Sequence, residues 1–283
     1  MGTVTQGLGG GLSGFRNAIG RLRTLGTQRA RQGNRQTCRD GILLNTMPKS
    51  GSIYIQKSLA KILNCRTLDF GNRYALIDQI GIRDARVLVG GGYVAQNHLA
   101  PSLENLQVLQ HYKLKMVLHL RDPRQALLSW VHHIDWLSSR DDAEEMLLYC
   151  TPQPPLAYFK DTLAGKIDWQ IENYLPQLTD WVTRWLAVAD AGTIPILITH
   201  QDALRTDEKA LFDSILAFHG LDADYALPHL PRTLEDTHFR RAEPKEWQST
   251  FTVEQARRTT ALIPRALRQR FGWDDPDCPA RIG

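Results

Sequence analysis

The strongest constraint in the sequence is an apolar run that ends in a Pro- and Gly-containing loop and is followed by a helical pattern. The run covers residues 41–46, the loop covers residues 48–52, and apolar residues then recur at helical spacing up to Leu63. Short apolar runs bounded by such loops are typical of buried parallel strands. In a strand, loop and helix unit, backbone amides and the helix N-terminus converge and favour a phosphate or sulfate anion. The sequence therefore predicts an anion-binding loop at residues 48–52.

Further apolar runs alternate with helical patterns along the chain. The predicted strands cover residues 86–89, 115–120 and 194–199, and the predicted helices lie near residues 123–137, 172–189, 204–218 and 253–262. Strands that alternate with helices imply a parallel sheet covered on both faces. We therefore expect an α/β fold with a P-loop-like central parallel β-sheet, flanked by helices on both faces, in a single domain.

The charge of the chain is concentrated at its beginning. Residues 1–39 contain seven arginines and no acidic residue, whereas the whole chain has a formal net charge of only +4. This Gly- and Arg-rich stretch predicts a flexible extension over residues 1–40, before a domain at 41–272 and a tail at 273–283. An arginine-rich extension can also bind nucleic acid or an anionic membrane surface, which remains an alternative role for it.

The apolar and cysteine patterns predict the cellular compartment. No apolar run approaches the length needed to cross a bilayer. Before Ile42, glycines and polar residues interrupt every apolar stretch. The four cysteines are far apart and form no C-x-x-C pair, which suits a reducing compartment. These features predict a cytoplasmic protein without a membrane span.

The loop at residues 48–52 has an unusual lysine position. A nucleotide-hydrolysing P-loop reads G-x-x-x-x-G-K-S/T, whereas Lys49 precedes the only glycine here. The segment instead resembles the 5′-phosphosulfate loop of sulfotransferases that use 3′-phosphoadenosine-5′-phosphosulfate (PAPS), which reads P-K-S/A-G-S/T-T-W/Y. The resemblance implies donor binding by Lys49, Ser50, Gly51, Ser52, Ile53 and Tyr54. Ile53 departs from the pattern by lacking a hydroxyl, and a turn with a helix cap is the alternative for so short a match.

A second segment, residues 121–130, resembles the 3′-phosphate segment of the same family. There an arginine at a strand end and a serine eight residues later bind the phosphate, and Arg121 and Ser129 have this spacing. The alternative interpretation is that Asp122 caps a helix that begins at Pro123, with Arg121 as a solvated ion-pair partner. Both interpretations can hold together, because capping would fix the helix and orient Arg121.

A third segment, residues 239–247, resembles the late R-K-G-x-x-G-D-W segment of the family. The resemblance implies that Arg240 and Arg241 close over the 3′-phosphate, since arginine binds phosphate through a planar fork. Ala242 and Lys245 replace the two glycines of the pattern. These departures put the conformation of this loop in doubt more than its charge.

Two histidines complete the resemblance. Residues 97–101 resemble the T-H-L-P segment that holds the catalytic base, which implies that His98 takes the acceptor's proton. His200 stands where the family has a tyrosine that contacts adenine. His119 and the pair His132-His133 have no such support, and adjacent histidines on a helix point to different faces, which argues against a metal site.

Together these segments imply a sulfotransferase that moves a sulfonate group from PAPS to a hydroxyl or amine by in-line displacement. The expected acceptor is a soluble small molecule, the expected product nucleotide is PAP, and neither a metal nor a nucleic-acid partner is expected. A P-loop nucleotide kinase or phosphotransferase is the nearest alternative enzyme. A non-catalytic PAPS- or nucleic-acid-binding protein is the alternative from another class, and the sequence identifies neither the acceptor nor the oligomeric state.

Overall fold

The computed structural model describes residues 41–69, 78–148, 150–222, 224–230 and 245–273. The predicted extension at 1–40 and residues 274–283 of the predicted tail lie outside the described residues. Arg240 and Arg241, the predicted 3′-phosphate ligands of the late segment, also lie outside them.

Within the described residues, five parallel strands form one sheet in the order β2-β3-β1-β4-β5. These strands are β1 (Ile42–Thr46), β2 (Arg66–Asp69), β3 (Tyr93–Asn97), β4 (Met116–Leu120) and β5 (Ile196–His200). Strand β1 lies in the centre, where Asn45 pairs with Asn97 of β3 and with Leu118 of β4. Every residue of β1 and β4 is buried. Such burial is expected of parallel strands that are covered on both faces.

Helices connect the strands and continue to the end of the described chain. They are α1 (Ser52–Ile62), α2 (Ile82–Val89), α3 (Leu103–His111), α4 (Pro123–Ser138), α5 (Ala143–Leu147), α6 (Leu163–Asn173), α7 (Leu175–Asp190), α8 (Ala203–Thr206), α9 (Glu208–Phe218), α10 (Glu246–Thr250), α11 (Val253–Leu262) and α12 (Arg265–Phe271). A short 3-10 helix, Leu156–Lys160, precedes α6. Among the described residues, none of these helices combines the length and apolarity that a membrane crossing needs.

The two faces of the sheet carry separate apolar cores. Successive residues of a strand point to opposite faces. Ile42 and Leu44 accordingly pack with Ile55 of α1 and Phe212 of α9, while Leu43 packs with the core formed by α2, α3, α4, α6 and α7. Helices therefore cover both faces of a parallel sheet, which confirms the predicted fold class.

The predicted strand at residues 86–89 is wrong. These residues end α2, whose buried residues Ala85 and Leu88 are three positions apart and share one face of the helix. A run of three apolar residues is compatible with a helix or a strand. Gly91 and Gly92 then turn the chain through positive φ angles into β3, which is the strand that pairs with β1.

The other predicted elements agree with the structure to within a few residues. The patterns at 123–137 and 253–262 correspond to α4 and α11. The pattern at 172–189 covers the end of α6 and most of α7, which meet at Tyr174. The pattern at 204–218 covers α8 and α9, which Asp207 separates.

Candidate active site

The segments that carry the predicted site residues meet at the carboxyl edge of the sheet. Lys49 follows β1, His98 follows β3, Arg121 follows β4, and His200 ends β5. Because the strands are parallel, their carboxyl ends lie at the same edge. The chain crosses from β3 to β4 past the central β1. Open α/β sheets bind ligands outside the carboxyl ends of the strands at such a change of direction.

The loop between β1 and α1 has a backbone shaped for an anion. Lys49 and Gly51 both adopt left-handed conformations, with φ angles of 65° and 87°. Alternation of left-handed and ordinary residues turns successive amides into an anion-binding concavity called a nest. The Ser50 hydroxyl donates to the Met47 carbonyl over 2.7 Å, which closes the loop on itself.

The N-terminus of α1 adds to the positive character of this loop. Gly51 is the N-cap of α1, no side chain caps the helix, and its first turn contains no acidic residue. The first N–H groups of a helix have no acceptor within the helix, and the helix dipole favours negative charge beside them. The loop is also a turn that leads into a helix N-cap, as the alternative interpretation predicts, so the two interpretations share one geometry.

One side chain of β4 and one directly after it support the loop from the sheet side. His119 Nε2 lies 3.1 Å from the Ser50 carbonyl oxygen, and Arg121 Nη1 donates to the Lys49 carbonyl over 2.5 Å. The main chain adds a third contact, because Met47 N donates to the carbonyl of His119 over 2.8 Å. The structure therefore brings Arg121 to the predicted donor loop.

His119 is a site residue that sequence reasoning missed. Its ring is fully buried, and Nδ1 lies 2.8 Å from the Thr199 hydroxyl of β5. Burial lowers the pKa of His119 to about 3, and the charges of His200 and Arg121 act in the same direction. The ring is therefore neutral near pH 7. The available signal was its position two residues before Arg121, which places both side chains on one face of β4.

His98 is held in one tautomer by the end of β1. The residue is 5% exposed, and its Nδ1 lies 2.5 Å from the carbonyl oxygen of Thr46. A carbonyl oxygen only accepts hydrogen bonds, so Nδ1 carries the proton of the neutral ring and Nε2 carries the lone pair. The side chain of Asn97 accepts a hydrogen bond from His98 N over 2.6 Å. This arrangement gives His98 the form that a general base needs.

The residue after His98 is clamped by two tryptophans. Trp181 Nε1 and Trp185 Nε1, one turn apart on α7, each donate to the Leu99 carbonyl over 2.8 Å. The side chain of Asn45 accepts from Leu99 N over 2.7 Å. Sequence reasoning missed this clamp, because it depends on how α7 docks against the loop after β3. Its chemical effect is to hold the backbone beside His98 through the two indoles and the side-chain amide of Asn45, whose Nδ2 also donates to the Leu99 carbonyl over 3.5 Å.

The start of α4 contains the helix cap that the alternative interpretation of residues 121–130 predicts. Asp122 caps the helix by accepting from Arg124 N over 2.9 Å, and Pro123 is its first residue. Arg121 precedes the cap, and its guanidinium contacts the Lys49 carbonyl of the donor loop. Ser129 lies farther along α4 and is half-buried.

A buried arginine ties α4 to the C-terminal helices. Arg124 is 2% exposed and forms an ion pair with Asp122 over 2.7 Å. Its guanidinium also lies 4.0 Å from the centre of the Trp247 ring and donates to the carbonyl of Trp273. Trp247 is 1% exposed, so it anchors the chain immediately after the undescribed segment at 231–244.

The rings of Tyr54 and His200, which the resemblance assigns to the donor site, already have partners in the protein. The Tyr54 hydroxyl donates to Glu208 at the start of α9. The His200 ring lies 4.7 Å from the ring of Phe271, and burial lowers the pKa of His200. Ile53 is half-buried between Ser52 and Tyr54 in the first turn of α1.

Among the described residues, no group of three or more His, Cys, Asp or Glu side chains is arranged to hold a metal ion. The polar groups that the structure brings together at the carboxyl edge are instead backbone amides, imidazoles and cations. This set is suited to binding an anion and to accepting a proton.

Comparison with known proteins places the fold. No protein-family model and no curated protein sequence matches this chain. The crystal structure of mouse sulfotransferase SULT7A1 complexed with PAP matches with a TM-score of 0.55 at 16% identity, over 79% of this chain and 82% of the mouse chain. A looser match, with a TM-score of 0.43 at 12% identity, is a sulfotransferase from Alicyclobacillus acidocaldarius, over 82% of this chain and 96% of that chain. The match to the mouse protein shows that this chain has the α/β fold of the sulfotransferases.

Proposed function

We propose that this chain is a PAPS-dependent sulfotransferase that transfers a sulfonate group to a hydroxyl or amine of a soluble small-molecule acceptor. The mouse protein with the same fold is complexed with PAP, the nucleotide that remains when PAPS loses its sulfonate. Fold alone does not assign an activity. The proposal therefore depends on the residues at the carboxyl edge of the sheet.

The observation that carries the proposal is the contact between His98 and Thr46. Thr46 ends β1 and immediately precedes the anion-binding loop, and its carbonyl accepts from His98 Nδ1 over 2.5 Å. This contact joins a histidine in the tautomer of a base to the start of a loop that favours a phosphosulfate. Sulfonate transfer needs both functions at one place, because the acceptor loses a proton while the donor's bridging oxygen gains charge.

The reaction assigns a role to each part of this site. The bond between sulfur and the bridging phosphate oxygen breaks, and a bond between sulfur and the acceptor atom forms. The proton of the acceptor passes to Nε2 of His98. Lys49 and the amides of residues 50–52 stabilise the negative charge that develops on the departing PAP. In the closely related case of phosphoryl transfer, positioning and electrostatic stabilisation of this kind supply most of the catalysis.

The 3′-phosphate of the donor requires further cations. We assign Arg121, Ser129, Arg240 and Arg241 to it. Arg121 uses Nη1 for the Lys49 carbonyl, and a guanidinium has five N–H donors in a planar fork. One arginine can therefore bind the loop carbonyl and a phosphate oxygen together. His200 and Tyr54 are assigned to the side of the adenine.

The proposal is tested by incubating the full chain with radiolabelled PAPS and a pool of acceptors that carry hydroxyl or amine groups. Labelled product should form, and Lys49→Ala should reduce the rate by about 100-fold or more. Lys57→Ala is the matched control, because Lys57 is exposed on α1. The result that rejects the proposal is phosphoryl transfer from ATP and magnesium with no sulfonate transfer from PAPS. That result would favour the P-loop phosphotransferase alternative.

A further inference from the structure

We propose that His119 is a positioning residue that aims the amide of Gly51 at the 5′-phosphosulfate of the donor. This inference rests on the proposed function, since it concerns the same donor loop. It gives a role to a buried histidine to which the proposed mechanism assigns none.

His119 lies in β4 and Arg121 directly follows this strand, and both side chains contact the donor loop. Residues two apart on a strand point to the same face, and both side chains reach carbonyl oxygens of consecutive loop residues. His119 contacts the Ser50 carbonyl at 3.1 Å, and Arg121 contacts the Lys49 carbonyl at 2.5 Å. Two neighbouring peptide groups are therefore held from the sheet side.

Peptide planarity converts these contacts into amide directions. The only cis peptide bond among the described residues is Thr151-Pro152, so the peptides of the loop are trans. In a trans peptide, the carbonyl and the following N–H point in opposite directions. Holding the Ser50 carbonyl toward β4 therefore turns the N–H of Gly51 away from the sheet. Holding the Lys49 carbonyl does the same for the N–H of Ser50.

The left-handed residues make this arrangement a single concavity. Lys49 and Gly51 have φ angles of 65° and 87° and flank Ser50. Adjacent amides that converge in this way bind one anionic group. Without the contact from His119, the peptide between Ser50 and Gly51 would lose the hydrogen bond that sets its orientation.

Thr199 sets the protonation of the two ring nitrogens of His119. The Ser50 carbonyl can only accept, so Nε2 carries the proton, and Nδ1 accepts from the Thr199 hydroxyl 2.8 Å away. Thr199 is the register partner of His119 in β5. The neutral ring therefore accepts a hydrogen bond from the Thr199 hydroxyl and donates one to the Ser50 carbonyl of the loop. Burial of the ring supports this neutral form.

The test compares two ligands that differ only in the group that the loop would bind. PAP carries a 5′-phosphate, whereas adenosine 3′-monophosphate does not. His119→Leu removes the donor to Ser50 while keeping an apolar side chain of similar size. Its affinity for PAP should fall by about tenfold, the effect of one hydrogen bond to a charged group. Its affinity for adenosine 3′-monophosphate should change by less than about twofold.

Four further variants separate positioning from general stability. His119→Gln keeps an amide donor and should recover most of the PAP affinity. Thr199→Val removes the hydroxyl that selects the tautomer and should weaken PAP selectively, while Thr199→Ser should not. His219→Leu is the control, because His219 is also a histidine whose pKa burial lowers, but it follows α9 instead of contacting the loop. These conservative changes keep the test decisive if His119→Leu does not fold.

The outcomes distinguish this inference from the proposed function. If the wild-type chain binds PAP but the His119 and Thr199 variants weaken both ligands equally, or neither, the role of His119 is overturned and the proposed function stands. If the wild-type chain does not bind PAP, the proposed function fails and this inference fails with it. Selective loss of PAP affinity in His119→Leu and Thr199→Val supports the inference.

Discussion

The carbonyl oxygen of Thr46 lies 2.5 Å from Nδ1 of His98 and joins the end of the central strand to the candidate base. The same strand continues directly into the loop that holds Lys49 and Gly51. A shift of β1 would therefore move the base and the donor loop together. This coupling explains how two functions from different loops can be kept in register without a direct contact between them.

Replacing the candidate base should abolish turnover without weakening donor binding. His98→Ala should lower kcat by about 100- to 10,000-fold, the usual contribution of a general base. In the proposed mechanism His98 contacts the acceptor and not the donor. The affinity for PAP should therefore stay within about twofold of the wild type. Single-turnover rates and calorimetric titration measure the two quantities separately.

His111→Ala is the control for this variant, because His111 is an exposed histidine at the end of α3. It should retain the wild-type rate. Full activity in His98→Ala would reject the assigned base.

A methyl group at Gly51 should damage the donor loop more than it damages the fold. Gly51 has a φ of +87°, and a Cβ atom there would lie 3.1 Å from Cδ1 of Leu204. An alanine in the left-handed conformation costs about 1–2 kcal/mol of stability. Gly51→Ala should lose this amount in urea unfolding, and its affinity for PAP should fall by about tenfold as the amides are displaced.

Gly220→Ala supplies a matched control. Gly220 has a φ of +68°, and a Cβ atom there would have no neighbour within 4 Å. It should lose a similar amount of stability and keep its affinity for PAP. Equal loss of affinity in the two variants would show that backbone strain, and not the loop, is being measured.

The tryptophan clamp should affect catalysis through His98. Trp181→Phe and Trp185→Phe each remove one of the two indole donors to the Leu99 carbonyl. A carbonyl oxygen accepts two hydrogen bonds, so each single variant should lose about 1 kcal/mol of stability. The double variant should lose more than the sum, because it leaves this buried oxygen without an indole donor.

The clamp also predicts a pattern in the kinetics. In both single variants kcat should fall while the affinity for PAP stays unchanged, since the displaced backbone is next to the base. Trp169→Phe is the control, as Trp169 packs against Tyr158 away from Leu99. A loss of PAP affinity without a change in kcat would contradict the assigned position of the clamp.

Stability should decrease with acidity in a way that depends on His119. Burial lowers the pKa of His119 to about 3 from its ordinary value of 6.5. Between these two pH values the unfolded chain binds more protons than the folded chain, so the free energy of unfolding falls as the pH falls. Loss of this group in His119→Gln should reduce the drop in stability between pH 7 and pH 5 by about 2 kcal/mol. Urea unfolding at the two pH values measures the difference, and equal drops in both proteins would show that folding does not lower the pKa of His119.

Much of the donor loop was predictable from sequence, because it depends on local chemistry. The apolar strand, the Pro and Gly punctuation and the spacing of Ile55 and Leu59 all lie within one short segment. Lys49, His98 and Arg121 were instead predicted from the resemblance of their segments to sulfotransferase motifs, and in the structure they follow β1, β3 and β4. Their common place at the carboxyl edge follows from the parallel sheet.

The strand β3 was missed because two of its four buried residues are polar. Gln96 and Asn97 are almost fully buried, yet their side chains are satisfied by Thr46 and by the backbone of His98. Burial of polar groups is tolerated when they are hydrogen-bonded, and no pattern of apolar residues then marks the strand. The apolar run at 86–89 offered a simpler but wrong strand.

The supports of the site were missed for a different reason. His119 reaches Ser50 and Thr199 only after β4 has paired with β1 and β5. Trp181 and Trp185 reach Leu99 only after α7 has docked. These contacts join residues that are more than 60 positions apart, so local patterns contain no signal for them.

The most direct test of the central claim is calorimetric titration of the full chain with PAP and with adenosine 5′-monophosphate. The donor site described here predicts a Kd for PAP of about 10 μM or tighter. Adenosine 5′-monophosphate, which lacks the 3′-phosphate, should bind at least about tenfold more weakly, because it forgoes the charge-assisted hydrogen bonds assigned to Arg121 and its partners. No binding of PAP at millimolar concentration, or equal affinity for the two nucleotides, would contradict the account.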